Sequence, residues 1–187
     1  MGLLSKVTGA ALARKLALFV LATGLCTAAA AVSEYQLKAV FLFNFAQFVE
    51  WPTSAFAQQN APFVIGVLGK DPFGANLDDV VHGENINNHP LIVQRYRDVQ
   101  DIGGCQILFI PAAELEHLDE ILAALRGRSV LTVTDANATA RRGVMIGIIR
   151  QDSKIRLRID VEAAKAANLT ISSKLLRPAE IVGPAGS

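Results

Sequence analysis

The strongest constraint on this chain is a set of short runs that are apolar at nearly every position. Each is stopped by glycine, proline or aspartate. Phe63–Leu68 reads FVIGVL and ends at Gly69; residues 105–110 read CQILFI and end at Pro111; residues 130–134 end at Asp135. Apolar runs of this length without alternation are the mark of strands buried on both faces. Helical spacing fills the gaps. After Pro111, which loses nothing at a helix start, Leu115, Leu118, Ile121, Leu122 and Leu125 form one stripe. Glu114 and Glu116 lie near its start and Arg126 precedes the stop at Gly127, as the helix dipole prefers. Buried strands alternating with helices predict an α/β fold: a single three-layer domain with a mostly parallel sheet flanked by helices.

The remaining segments fill in that plan. Residues 34–50 read as a helix ended by Trp51-Pro52, apolar on almost every face, so buried all round or packed on two partners. Residues 73–81 read as a short helix, 82–90 as a polar loop and 91–96 as a strand. Residues 144–149 and 155–159 flank Gln151-Asp152-Ser153 and predict a C-terminal antiparallel hairpin. Within it Ile155, Leu157 and Ile159 alternate with Lys154, Arg156 and Arg158, a basic row expected to be a solvated face that discourages edge pairing. Residues 161–167 and 172–181 are predicted helices, and 183–187 a flexible tail.

The first 31 residues read differently. Lys6, Arg14 and Lys15 precede an apolar stretch, LALFVLATGL, and an alanine-rich end, with no acid anywhere. A basic start, short apolar core and A-x-A end make a secretory signal peptide, 1–31, before a domain of residues 32–182. A membrane anchor is the competing reading, but the continuous apolar run falls short of the roughly 20 residues a span requires. A lipoprotein attached through Cys26 is disfavoured by the bulk of Leu25. Loss of 1–31 would leave 156 of the 187 residues and turn a formal charge of +1 into −2. That balance excludes the basic character of a nucleic-acid binder. It leaves Cys105 as the single cysteine.

Searches for chemistry return few candidates. His82, His89 and His117 have no metal-ligand spacing, and no metal or other cofactor is expected. No nucleophile elbow is present, and Cys105 at the start of an apolar strand reads as a buried thiol, so no catalytic residue is assigned. Gly69 and Lys70 close a strand before a helix, a weak anion-binding geometry. Asp135 follows a strand where open α/β sheets hold ligands, and taken alone reads as a cap for residues from Ala136. A small-ligand site would draw on Lys70, Asp71 and Asp135 with Ser172 and Ser173.

Six segments in order carry a resemblance: 34–45 (EYQLKAVFLFNF), 48–52 (FVEWP), 65–74 (IGVLGKDPFG), 105–110 (CQILFI), 131–135 (LTVTD) and 171–176 (ISSKLL). On these the chain resembles the YfiR family of small bacterial periplasmic proteins. The resemblance implies a non-enzymatic repressor that binds the periplasmic sensor region of an inner-membrane diguanylate cyclase and holds down cyclic-di-GMP production. A histidine kinase is the other membrane partner considered. Release would follow redox or envelope stress, or capture by an outer-membrane lipoprotein. The resemblance also implies a homodimer and disulfides. Here the chain departs: Cys105 matches the family cysteine, but its intramolecular partner is missing, leaving intermolecular pairing or a buried thiol. The expected partner-binding residues are Phe48, Trp51 and Pro52, at the end of the Phe-rich helix. The alternative function is a periplasmic small-ligand-binding sensor.

Overall fold

A computed structural model describes residues 33–136, 143–152 and 154–183. The signal-peptide reading of 1–31, the tail from 184 and Ser153 of the predicted hairpin turn lie outside the described residues. Helix α1 (Glu34–Phe48) opens the domain, capped by the Ser33 side chain, which accepts from the Gln36 amide. It runs into the two-residue strand β1 (Val49–Glu50) and, past Trp51-Pro52, a 3-10 turn at Thr53–Ala55. Strand β2 (Phe63–Leu68), helix α2 (Ala75–Val81), strands β3 (Asn85–Ile86) and β4 (His89–Tyr96) and strand β5 (Ile107–Ile110) follow. After β5 the chain takes a 3-10 turn at Ala112–His117 and helix α3 (Leu118–Ala124), then strands β6 (Leu131–Thr134), β7 (Ile146–Gln151) and β8 (Lys154–Asp160). The described part closes with α4 (Val161–Ala166), β9 (Thr170–Ile171), α5 (Ser173–Leu176) and β10 (Glu180–Val182).

Eight strands form one sheet in the order β10-β8-β7-β6-β5-β2-β4-β3. Its centre is parallel, β4 to β7, and β7–β8 is the expected antiparallel hairpin. The all-apolar strands have two cores to fill. Phe63, Ile65, Val67, Ile107, Phe109, Leu131 and Val133 face α1, α2 and the C-terminal helices. Val64, Leu68, Leu108 and Ile110 face α3 through Leu115, Leu118, Ile121 and Leu125. The three-layer expectation is therefore met by strict alternation within runs that look uniform as sequence.

Three expectations are corrected. The 82–90 loop contains a hairpin: Asn87 and Asn88 both have positive φ (50° and 71°), as a two-residue hairpin turn that follows the strand twist requires, and β3 pairs β4. Residues 172–181 are not one helix. Pro178 stops the helical course, and 180–182 join β8 as the parallel strand β10. Consequently β8 is not the sheet edge where Arg158 sits: Arg158 Nε lies 2.8 Å from Glu180. Finally, α1 is not buried all round. Lys38, Ala39, Leu42, Phe45 and Ala46 are buried, while Leu37 and Val40 are 40% and 39% exposed.

Candidate partner-binding site

The C-terminal end of α1 runs into a separate two-stranded sheet, β1–β9, and the chain beyond it is held by one side-chain amide. Val49 pairs Ile171 and Glu50 pairs Thr170, and the Phe48 carbonyl accepts from the Ser172 amide at 2.9 Å. Beyond Pro52 the chain would be free to wander, but Gln106 holds it. Its Nε2 donates to the Ala55 carbonyl at 2.7 Å, its Oε1 accepts from the Val64 amide at 2.8 Å, and its own carbonyl accepts from Trp51 Nε1 at 3.1 Å. Gln106 is 3% exposed, so each of these bonds forms where water cannot substitute. Trp51 then meets Phe63 edge-on, ring centres 4.8 Å apart.

His89 completes the aromatic wall. The sequence places it in a polar loop as a surface histidine; instead it begins β4 half-buried, its ring parallel to Phe56 at 3.9 Å. Its Nδ1 lies 2.6 Å from the Ala61 carbonyl, which only an N–H can satisfy, so neutral His89 carries its lone pair on Nε2. Trp51, Thr53, Phe56, Phe63, Ile86 and His89 line most of a cleft of about 210 Å³. A second cleft of about 360 Å³ shares Thr53, Phe56 and His89 and is rimmed by Gln58 and Gln59. Phe48, Trp51 and Pro52 are all half-buried here, and Lys174 Nζ stands 5.1 Å from the Phe48 ring centre.

From this end the outer face of α1 extends along Phe48, Phe41, Val40 and Leu37. Leu37 and Val40 lie on the side away from buried Leu42 and Ala46, while Phe41 borders the core through the Phe45 ring, 6.3 Å away. Leu37 and Val40 are two of the most exposed large apolar side chains among the described residues.

The opposite end of α1 is polar and closed. Asp135, at the C-terminal end of β6, accepts from Tyr35 Oη at 2.9 Å, Lys38 Nζ at 3.1 Å and the Ala112 amide at 3.2 Å. The Ala136 amide donates to Thr134 Oγ1; residues 137–142, on which the cap expectation for Asp135 falls, lie outside the described residues. Lys38, 3% exposed, also pairs Glu34 at 2.6 Å and sits over the Tyr35 ring. Hydrogen bonds from Lys38 and then Arg150 hold the Glu34 carboxyl below its ordinary range. Burial, then the hydrogen bond to Asp135, pushes the Tyr35 phenol up to about 12. A buried Lys–Asp pair whose remaining valences are filled leaves no open ligand position.

The predicted ligand set is therefore not gathered. Asp71 pairs Arg95 at 2.7 Å and accepts from the Phe73 amide, and Lys70 is exposed beside Gly69. These two and Asp135 lie along the C-terminal ends of the parallel strands. Ser172 caps α5 by accepting from the Lys174 amide, with exposed Ser173 beside it, near Phe48 at the far end of α1, about 15–20 Å along the helix from Lys38 and Tyr35. Cys105 is a free, buried thiol that desolvation pushes up to about 11. Lys38, Gln106, Phe56 and His89 were not singled out by sequence. For the first two a signal existed: each is the lone strongly polar residue in an otherwise apolar stretch.

Among the described residues no cluster of His, Cys, Asp and Glu could hold a metal ion, and no helix is long and apolar enough to cross a membrane. An α/β domain whose strand-end carboxylate is internally consumed, and which displays an apolar helix face and an aromatic cleft, is of the binding rather than the catalytic class. A comparison with protein families matches residues 35–180 to the YfiR/HmsC-like family, and the chain belongs to it. That family consists of non-catalytic regulators; membership supports a periplasmic protein that acts on a membrane-bound signalling partner. No curated protein matches the chain.

Proposed function

We propose that this protein is an exported periplasmic regulator that binds the sensor region of an inner-membrane diguanylate cyclase and represses it, lowering cyclic-di-GMP. The observation that carries the reading is the exposed apolar pair Leu37 and Val40 on α1, with half-buried Phe41 and Phe48 along the same helix and the Trp51–Phe56–His89 cleft past its end. Interfaces are built around aromatic anchors at a desolvated centre, and this face offers them on a rigid element. Repression is a population shift: the protein binds the inactive sensor conformation more tightly than the active one. An outer-membrane lipoprotein competing for the same face would relieve it, and a homodimer formed through that face would do the same. Cys105 supports no redox switch, since it is buried and thiolate is scarce near neutral pH.

The test is capture of detergent-solubilised inner-membrane proteins on the immobilised domain, scored by mass spectrometry against the double variant Leu37→Glu/Val40→Glu. The expected result is retention of a cyclase with a periplasmic sensor region, lost at least tenfold in the variant while its melting temperature is unchanged. A histidine kinase captured instead would replace the cyclase in this scheme. Capture that is identical for both proteins removes the α1 face from it.

A further inference from the structure

A third cleft, of about 290 Å³, lies between the C-terminal end of α3 and α4, away from α1. We infer that it is a binding site for a small aliphatic carboxylate. Its floor is aliphatic: Leu122, Leu125, Val130 and Met145, with alanines of α4 forming one wall. No aromatic ring lines it, so nothing in it selects a planar ligand. Among the described residues its charged lining groups are Arg126 and Arg128, and no acid lines it. Arg128 is spent on the Ile102 and Gly103 carbonyls. Arg126 is exposed and, among the described residues, has no ion-pair partner. Asn168, on the same rim, adds an amide.

The charge on the ligand follows from Arg126, the rim cation left without an ion-pair partner, and not from the helix ends. The last carbonyls of α3 and α4 carry partial negative charge, which favours the guanidinium at the rim and leaves it as the group that attracts an anion. An apolar body with one anionic head is the complement of such a lining, because a pocket of this kind orients its ligand by few polar groups. At about 30 Å³ per small group the volume takes roughly ten non-hydrogen atoms, the size of octanoate. The site is separate from the α1 face and from the strand-end carboxylate, so it would tune the protein without competing with its partner.

Isothermal titration of the purified domain with octanoate, octanol and octylamine tests the assignment, with Arg126→Gln and Ala166→Trp as variants. Arg126 is exposed and Ala166 lies on the exposed side of α4, so both variants are expected to fold, and their melting temperatures check it. Octanoate is expected to bind in the wild type, at least tenfold more weakly in Arg126→Gln, and not at all in Ala166→Trp; octylamine is expected not to bind. Absence of octanoate binding overturns the site. Equal binding in all three proteins, or binding of octylamine as tight as octanoate, overturns it as well. None of these outcomes depends on whether a cyclase is captured through α1.

Discussion

At the scale of single residues, two buried polar side chains decide where α1 lies. Lys38 is a cation placed among phenylalanines, and its burial is tolerable only because Asp135 and Glu34 meet it. Lys38→Met removes one partner and leaves Asp135 buried with its charge uncompensated, a loss of about 3–5 kcal/mol in urea denaturation. The double variant Lys38→Met/Asp135→Asn is expected to be more stable than Lys38→Met alone, because no unpaired charge remains. Gly66 decides packing on the other face: a Cβ there would lie 2.6 Å from the ring of Tyr96, which is only 2% exposed. Gly66→Ala should cost about 1–3 kcal/mol through overpacking, read in the same assay. Alkali acts through three raised groups, of which Tyr96, lifted by burial and then by Cys105 beside it, stands highest. Cys105, moved from 9.0 to about 11, and Tyr35, moved from 10.0 to about 12, both favour the folded state while protonated. Their contribution is complete below the unfolded values and disappears as pH rises through the folded ones. The urea midpoint is therefore expected to start falling near pH 9 and to go on falling past about pH 12 because of Tyr96, with the early part of the fall absent in Cys105→Ala.

At the scale of elements, the central strands and α3 were legible because each is long enough for its pattern to outweigh its neighbours. What escaped was short and depended on a partner. β3 has two residues and exists because Asn87 and Asn88 accept positive φ beside β4. β10 has three, and β8 offers it an open edge that no local pattern announces. The site divides in the same way. Trp51 is visible as an aromatic at a helix end, but its wall requires Phe56 and His89, brought together only by the fold. Removing the chain after Arg177 would bare the edge of β8, including the backbone of Arg158 to Asp160. Such an edge is a template for another chain. The truncated protein should self-associate at concentrations where the full chain does not, as size-exclusion chromatography with light scattering would record.

At the scale of the whole molecule, the two ends of the sheet are unequal. The C-terminal ends of the parallel strands, where open α/β folds hold ligands, are closed by ion pairs: Lys38–Asp135 in the middle and Arg95 with Asp71 and Asp78 to one side. The clefts open at the other end, beside Phe63 and His89 and beside Val130 and Met145. A protein so arranged presents its binding features on helix faces and strand starts, which suits a module that grips another protein. Weakening the closed end should leave those features in place. Asp71→Asn, which loses one exposed ion pair, should change stability by less than about 1 kcal/mol and leave partner capture unchanged.

The anchoring of α1 has a bearing on how the chain acquires its structure. The first helix is held by Asp135 and by residues 170–172, and the segment just after it by Gln106, so it cannot settle until the last segments of the domain are present. A helix with four phenylalanines emerges first and waits longest. Late closure of such distant contacts slows folding and lengthens the exposure of apolar surface.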